Sequence, residues 1–181
     1  GARYEEIYTG WAYPPKDYEK WAELVYQWVL HSVERYGREE VETWYWELWN
    51  EPNIGYWQGT TEEYLKLYDY TADAVKRALP TAVMGGPNVT GPSWDVAREF
   101  LITFLNHILT GNNHVTGKTG APLDFIAFHA KGYPTLVDSV VQMNMGTQLR
   151  DVSAGFKIVA SFPQLKHLPV IIGECDPEGC A

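Results

Sequence analysis

The sequence predicts an α/β protein in which helices cover a parallel sheet. Three observations carry this. Short apolar runs alternate with helical patterns, and each run is apolar at consecutive positions, as strands buried on both faces are. Each run also closes on polar side chains: Asn50-Glu51, Asn88, His129 and Glu174. In a (β/α) barrel the C-terminal strand ends form the active face, so these residues are the first candidates for chemistry.

Taken in order, the chain to Pro15 reads as a loop broken by Gly10 and Pro14-Pro15. Asp17 caps a helix whose apolar positions Tyr18, Trp21, Leu24/Val25, Trp28 and Tyr36 recur at helical steps, and Gly37 ends it. Val41–Trp49, β-branched and aromatic, is the first strand, expected to be buried on both sides. Thr60 and Glu63 form a capping box before Tyr64, Leu65, Tyr68, Ala72, Val75 and Leu79, and Pro80 stops that helix. Ala82–Gly85 is the second strand. Ser93 caps the next helix, which buries Val96/Ala97, Phe100/Leu101, Phe104/Leu105 and Ile108 up to Gly111. After a Gly/Asn/Thr loop over 112–122, Leu123–His129 is the third strand. Leu149, Val152, Phe156 and Val159 mark a weaker helix ending before Pro163, and Val170–Gly173 is the fourth strand, with Glu174 at its end. No linker or low-complexity segment interrupts residues 1–181, which read as a single domain.

Composition narrows the partners. The 181 residues carry 14 Lys plus Arg against 23 Asp plus Glu, a net charge of −9, with no basic run to meet a nucleic-acid backbone. No stretch approaches the ~20 apolar residues that would span a bilayer. The first residues, GARYEEIYTG, lack a basic-then-apolar signal pattern, so export is not legible and the compartment stays unknown. Cys175 and Cys180 form neither a disulfide framework nor a zinc ligand set. Neither GxGxxG nor GxxxxGK[ST] occurs, and nothing calls for a cofactor. The unusual entry is aromatic: of eight Trp, Trp44, Trp46, Trp49 and Trp57 crowd one segment.

Glu51, within WNEPN, and Glu174, within IIGECDP, end strands separated by two others. Two carboxylates flanking a glycosidic bond are the minimum equipment for its hydrolysis: one protonates the leaving oxygen, the other attacks or activates water. Pro52 turns the chain out of the strand and fixes the direction of Glu51. Asn50 offers a donor and an acceptor to a sugar hydroxyl. Strict alternation sends Asn50 and Glu51 to opposite faces, so both serve one site only if the strand ends or bulges there. Trp49 and Trp57 suit the apolar faces of sugar rings or the core equally, whereas Trp44 and Trp46 read as core. Glu47 reads as a buried partner of a Lys or Arg, and Glu178 as a less supported rival to Glu174. His129 ends its strand within reach of a substrate hydroxyl or Glu174, and Lys131, two residues on, is placed to meet an anionic group at the rim. His31, His107, His114 and His167 have no such context, and without HExxH or paired-ligand spacing no metal is expected. Asn88-Val89-Thr90 is formally a glycosylation acceptor, but its place after a strand favours a substrate-side role equally.

Together, YWELWNEPN, VMGGPN, LDFIAFHAKG and VIIGECDPEG resemble family 39 of the glycoside hydrolases, which includes β-xylosidases and α-L-iduronidases. The resemblance runs from about Tyr18 to the end of the chain. It implies a parallel (β/α) barrel of the TIM type, present here as an incomplete barrel of about four β/α units, strands four to seven. It also implies retaining hydrolysis of a terminal β-xyloside or uronide by double displacement. Glu51 would be the acid/base, Glu174 the nucleophile, and Asn50 and His129 substrate contacts. The HAKG run and the spacing of Glu174, Asp176 and Pro177 look more like the iduronidase branch, in which the lysine meets a substrate carboxylate. An acid/base Glu51 is expected to have a raised pKa. The other readings are a carbohydrate-binding module without turnover and a fragment that acts only on assembly. A second chain or further segments would then complete the barrel.

Overall fold

A computed structural model describes residues 12–177; most of the opening loop, Glu178 and Cys180 lie outside the described residues. Four strands form one parallel sheet in the order β1 (Tyr45–Glu47), β2 (Val83–Thr90), β3 (Phe125–His129) and β6 (Val170–Glu174). The crossovers are α3 (Thr61–Ala78), α4 (Asp95–Thr110) and α5 (Met145–Ala160), with α1 (Tyr18–Tyr36) and the single turn α2 (Arg38–Val41) leading into β1. This is a half-barrel of the (β/α) type, as expected.

Each helix starts where its sequence allows. Asp17 Oδ1 accepts from the backbone N–H groups of Glu19 and Lys20 at the head of α1. Thr60 and Glu63 close a reciprocal capping box on α3. Ser93 does not cap α4: Trp94 holds the cap position, and the Ser93 backbone and hydroxyl bond Asp151 of α5 instead. One face of α3 packs Tyr64, Leu65, Tyr68, Ala72 and Val75 onto the sheet, each such burial being worth up to about 1.5–3 kcal/mol. The polar tips are satisfied, Tyr64 Oη donating to Leu48 O at 3.0 Å and Tyr68 Oη to Pro122 O at 2.8 Å. Fully buried Asp69 accepts from the backbone of His114 and bonds His107 Nε2 at 2.8 Å, so His107 ties α4 to α3.

The strands differ by position in the sheet. β2 and β3 are buried almost throughout, whereas β1 alternates exposed, buried, exposed. The expectation of a long, doubly buried first strand over 41–49 is therefore corrected. Val41 belongs to α2, the strand is three residues long, and among the described residues it is an edge that pairs with β2 alone. Glu47 is exposed rather than a buried ion-pair partner. Trp46 is buried, as read, and Trp44 is half-buried. Between β3 and α5 lies a hairpin that the sequence reading treats as loop, β4 (Thr135–Val137) and β5 (Val140–Gln142). Its two-residue turn puts Asp138 and Ser139 at φ 48° and 64°, the left-handed pair that twists with the flanking strands.

Candidate active site

The site is built from irregularities at the strand ends. β2 and β3 pair in register through Pro87↔Ala127 and resume at Val89↔Phe128, which leaves Asn88 as an extra residue. β3 and β6 pair at Phe128↔Ile172 and resume at His129↔Glu174, which leaves Gly173 as an extra residue. A bulge of this kind re-aims the side chains around it. At the end of β1 the chain turns through left-handed φ at Trp49 (69°) and Glu51 (47°), and Asn88 shares that conformation at 58°. Such backbone is costly for non-glycine residues and persists where the surroundings enforce it. Here the Glu51 N–H donates to Asn88 O at 3.1 Å, and the Asn88 amide reaches Trp49 O at 3.5 Å.

The two glutamates meet over His129. Its Nδ1 lies 3.0 Å from Glu51 Oε1 and 3.7 Å from Glu174 Oε1. One oxygen of each carboxylate and a ring nitrogen of His129 all lie within 4.8 Å of one another. Glu51 and His129 are buried, with side chains 10% and 4% exposed, while Glu174 is 43% exposed. Lys131 Nζ bonds both Glu174 and Asp176. The strand extensions behind these groups run side by side, Ala130 N–H donating to Glu174 O and Gly132 N–H to Asp176 O. Gly132 is required there, because a Cβ would sit 2.1 Å from Pro177 O.

Burial is the largest single influence on Glu51 and pushes its pKa up. Hydrogen bonds from His129 and Thr90, with positive charge at His129 and Lys131, together outweigh it, and the carboxyl is held below its usual value. This corrects the expectation of a raised value: the donors within reach decide the sign. Burial likewise lowers the Lys131 pKa, but its bonds to Asp176 and Glu174 reverse that and leave it raised.

The remaining candidates fall in different places. Asn50 is exposed beside buried Glu51. The alternation problem is resolved by the strand's end at Glu47 and the two left-handed residues after it. Trp57 takes the core alternative of its two readings: it is 6% exposed, donates to Thr60 O and packs edge-on against Tyr64. It lines a surface cavity of about 380 Å³ with Ile54, Val96 and Phe100, which neither glutamate lines. Trp49 packs edge-on to Trp57 and borders a groove between α1 and β1. Asn88 is 2% exposed, which removes it as a glycosylation acceptor in the folded chain. Sequence reasoning missed Thr90 and Asn53. Asn53 exchanges two hydrogen bonds with the Thr90 backbone, at 2.9 and 3.0 Å, and so fixes the residue whose hydroxyl meets Glu51. The second Asn of WNEPN was the available signal. Among the described residues Glu51, His129 and Glu174 are also the group spaced to hold a metal ion. A cation there would have to displace the Lys131 ammonium from Glu174.

The sheet gathers a carboxylate pair and a histidine at its C-terminal strand ends, the face on which (β/α) barrels carry their sites. The model of the glycosyl hydrolases family 39 matches residues 1–181, and the chain belongs to that family. A β-xylosidase of Caldicellulosiruptor saccharolyticus is 37% identical over 150 residues, 82% of this chain and 28% of that protein. A solved bacterial orthologue of human α-L-iduronidase superposes with a TM-score of 0.74 at 27% identity, covering 88% of this chain and 26% of its own. A monomeric β-xylosidase from Caulobacter crescentus gives 0.65 at 32% identity, with 88% and 31% covered. The chain thus spans less than a third of the length of each of these relatives. Among the described residues no helix is long and apolar enough to cross a membrane.

Proposed function

We propose that these residues are the catalytic part of a retaining glycoside hydrolase acting on a terminal β-xyloside or uronide. The supporting observation is the carboxylate pair, with oxygens inside 4.8 Å of each other and His129 between. Retaining enzymes hold their carboxyl groups about 5–5.5 Å apart, inverting ones about 6.5–9.5 Å. Glu174 attacks the anomeric carbon while Glu51 protonates the leaving oxygen. Glu51 then takes a proton from the water that releases the sugar. Glu51 starts this cycle protonated only if its donors turn elsewhere. A sugar hydroxyl that draws His129 away leaves burial as the main influence, which raises the pKa. Asn50 stands exposed for a hydroxyl, and Lys131 for an anionic substituent in exchange for one of its two carboxylates.

Purified chain incubated with 4-nitrophenyl β-D-xyloside and an aryl α-L-iduronide tests this. The expected result is release of the aglycone with the first-formed sugar keeping its anomeric configuration. An inverted product removes the double displacement. Among the described residues β1 and β6 are the outer strands of the sheet, which favours a second reading, in which residues 1–181 are one part of a barrel and turn over only when further strands complete it. An inert chain that gains activity when joined to its flanking sequence or mixed with a complementing chain supports that reading; activity as a monomer ends it.

A further inference from the structure

Asn88 is the one residue at the site whose buried polar atom has nothing to bond. Its side-chain amide nitrogen reaches Trp49 O and its backbone carbonyl holds Glu51, but Oδ1 has no hydrogen-bond partner among the described residues. The side chain is 2% exposed, and unsatisfied acceptors at that depth are rare. What Oδ1 faces is specific. A Cβ built on Gly173 would lie 3.3 Å from Asn88 Oδ1 and 3.2 Å from His129 Nε2. His129 meets the two glutamates with its other nitrogen, Nδ1. Asn88 and Gly173 are also the two bulged residues that flank His129 on either side of β3. One bulge aims an acceptor at this spot, and the other leaves it without a side chain.

We propose that Asn88 is a specificity-determining residue whose Oδ1 accepts a hydrogen bond from one hydroxyl of the sugar seated over Gly173. His129 Nε2 faces the same hydroxyl. This rests on the glycosidase reading and adds a substrate contact to it. Asn88 suits the position for two reasons: it tolerates the left-handed backbone, and its amide can hold the Trp49 turn with one end while the other accepts. A group that donates no proton leaves the acceptor unpaired, so a site of this kind discriminates against the deoxy analogue more than it favours the parent.

The test is a binding titration of the chain, followed by histidine ring nitrogen and tryptophan NMR signals, so that turnover is not the readout. The probes are methyl β-D-xylopyranoside and methyl α-L-iduronopyranoside; the tighter is compared with its monodeoxy analogues. Wild type should bind one analogue about tenfold more weakly than the parent. Asn88→Gly, which keeps the backbone conformation, should erase that difference for that analogue alone. Asn88→Asp, which keeps an acceptor, should retain it, and Gly173→Ala should weaken the parent. Equal discrimination in wild type and Asn88→Gly, or no binding of either glycoside, overturns the proposal. The Trp49 and Trp57 signals verify that each variant is folded. Turnover with unchanged discrimination defeats this inference alone, and hydroxyl-sensitive binding without turnover, even when the barrel is completed, defeats only the glycosidase reading.

Discussion

The two carboxylates stand in unlike surroundings. Glu51 follows an edge strand, yet it is buried and held by His129, by Thr90 and by its own backbone bond to Asn88. Glu174 ends a strand paired with β3 on both sides of the Gly173 bulge, yet it is half-exposed and joined to a lysine side chain. The residue with the weaker strand behind it has the more rigid fixation. A carboxyl that must give up and take back a proton needs fixed neighbours that set its pKa, whereas a nucleophile needs an open line to the anomeric carbon.

Substitutions break this comparison in a definite order. Glu174→Ala should have the largest effect: without a nucleophile, aryl glycoside turnover falls below detection, and added azide restores it. Retention of more than about a hundredth of the activity would remove Glu174 from the role proposed for it. Glu51→Gln should cost about 10²–10⁴-fold on substrates with poor leaving groups and far less on nitrophenyl glycosides. Equal losses on both would place Glu51 outside acid catalysis.

His129→Ala sharpens the contrast, because it strips Glu51 of its principal donor and leaves Glu174 its lysine. The limb of the pH–rate profile set by Glu51 should move to higher pH, and stability at neutral pH should fall by about 1–3 kcal/mol in a denaturant titration. The sign follows from linkage. Glu51 is held below the unfolded carboxylate value of about 4.3, so its contribution is present above that pH and is lost as pH falls through the lower folded value. Both His129→Ala and Glu51→Gln should therefore flatten the acid side of the stability curve. Lys131→Ala should have the smallest effect, a shift of about fivefold in uronide-over-xyloside selectivity, because the ammonium is already matched by two carboxylates. Equal loss on the two substrates would leave Lys131 no part in choosing the sugar.

Much of the frame was legible because it rests on local chemistry. Asp17, the Thr60/Glu63 box and Gly37 mark helix ends by hydrogen bonds within a few residues, and the run read as a strand over Leu123–His129 contains the buried strand Phe125–His129. The glutamates were legible because each stands at or shortly after the C-terminal end of a strand. What escaped depends on pairing between strands. No sequence period shows that Asn88 and Gly173 fall out of register, since a bulge is defined by the neighbour that it fails to match. The length of β1 was misread because a run of aromatic residues interleaved with glutamates describes a helical turn and an edge as readily as a central strand. The pKa of Glu51 was misread for a related reason. The residues beside Glu51 in sequence do not reveal the donors that decide, which come from β2 and β3. The hairpin over 135–142 carries Asp-Ser at its turn instead of the Asn-Gly or Asp-Gly that would announce it.

The edge-on contact of Trp49 with Trp57, with ring centroids 5.0 Å apart, has a spectroscopic consequence. Trp49 opens the left-handed turn that delivers Glu51, and its indole N–H is anchored to Tyr56 O. Two indoles at that distance and angle couple electronically, so their circular dichroism reports the turn's geometry. A second set, Trp28, Trp44 and Trp46, lies along α1 and β1 and reports the sheet's edge. Replacing Trp57 with Phe would separate the two signals, leaving the molecule an intrinsic optical gauge of whether its carboxylate-bearing turn is set.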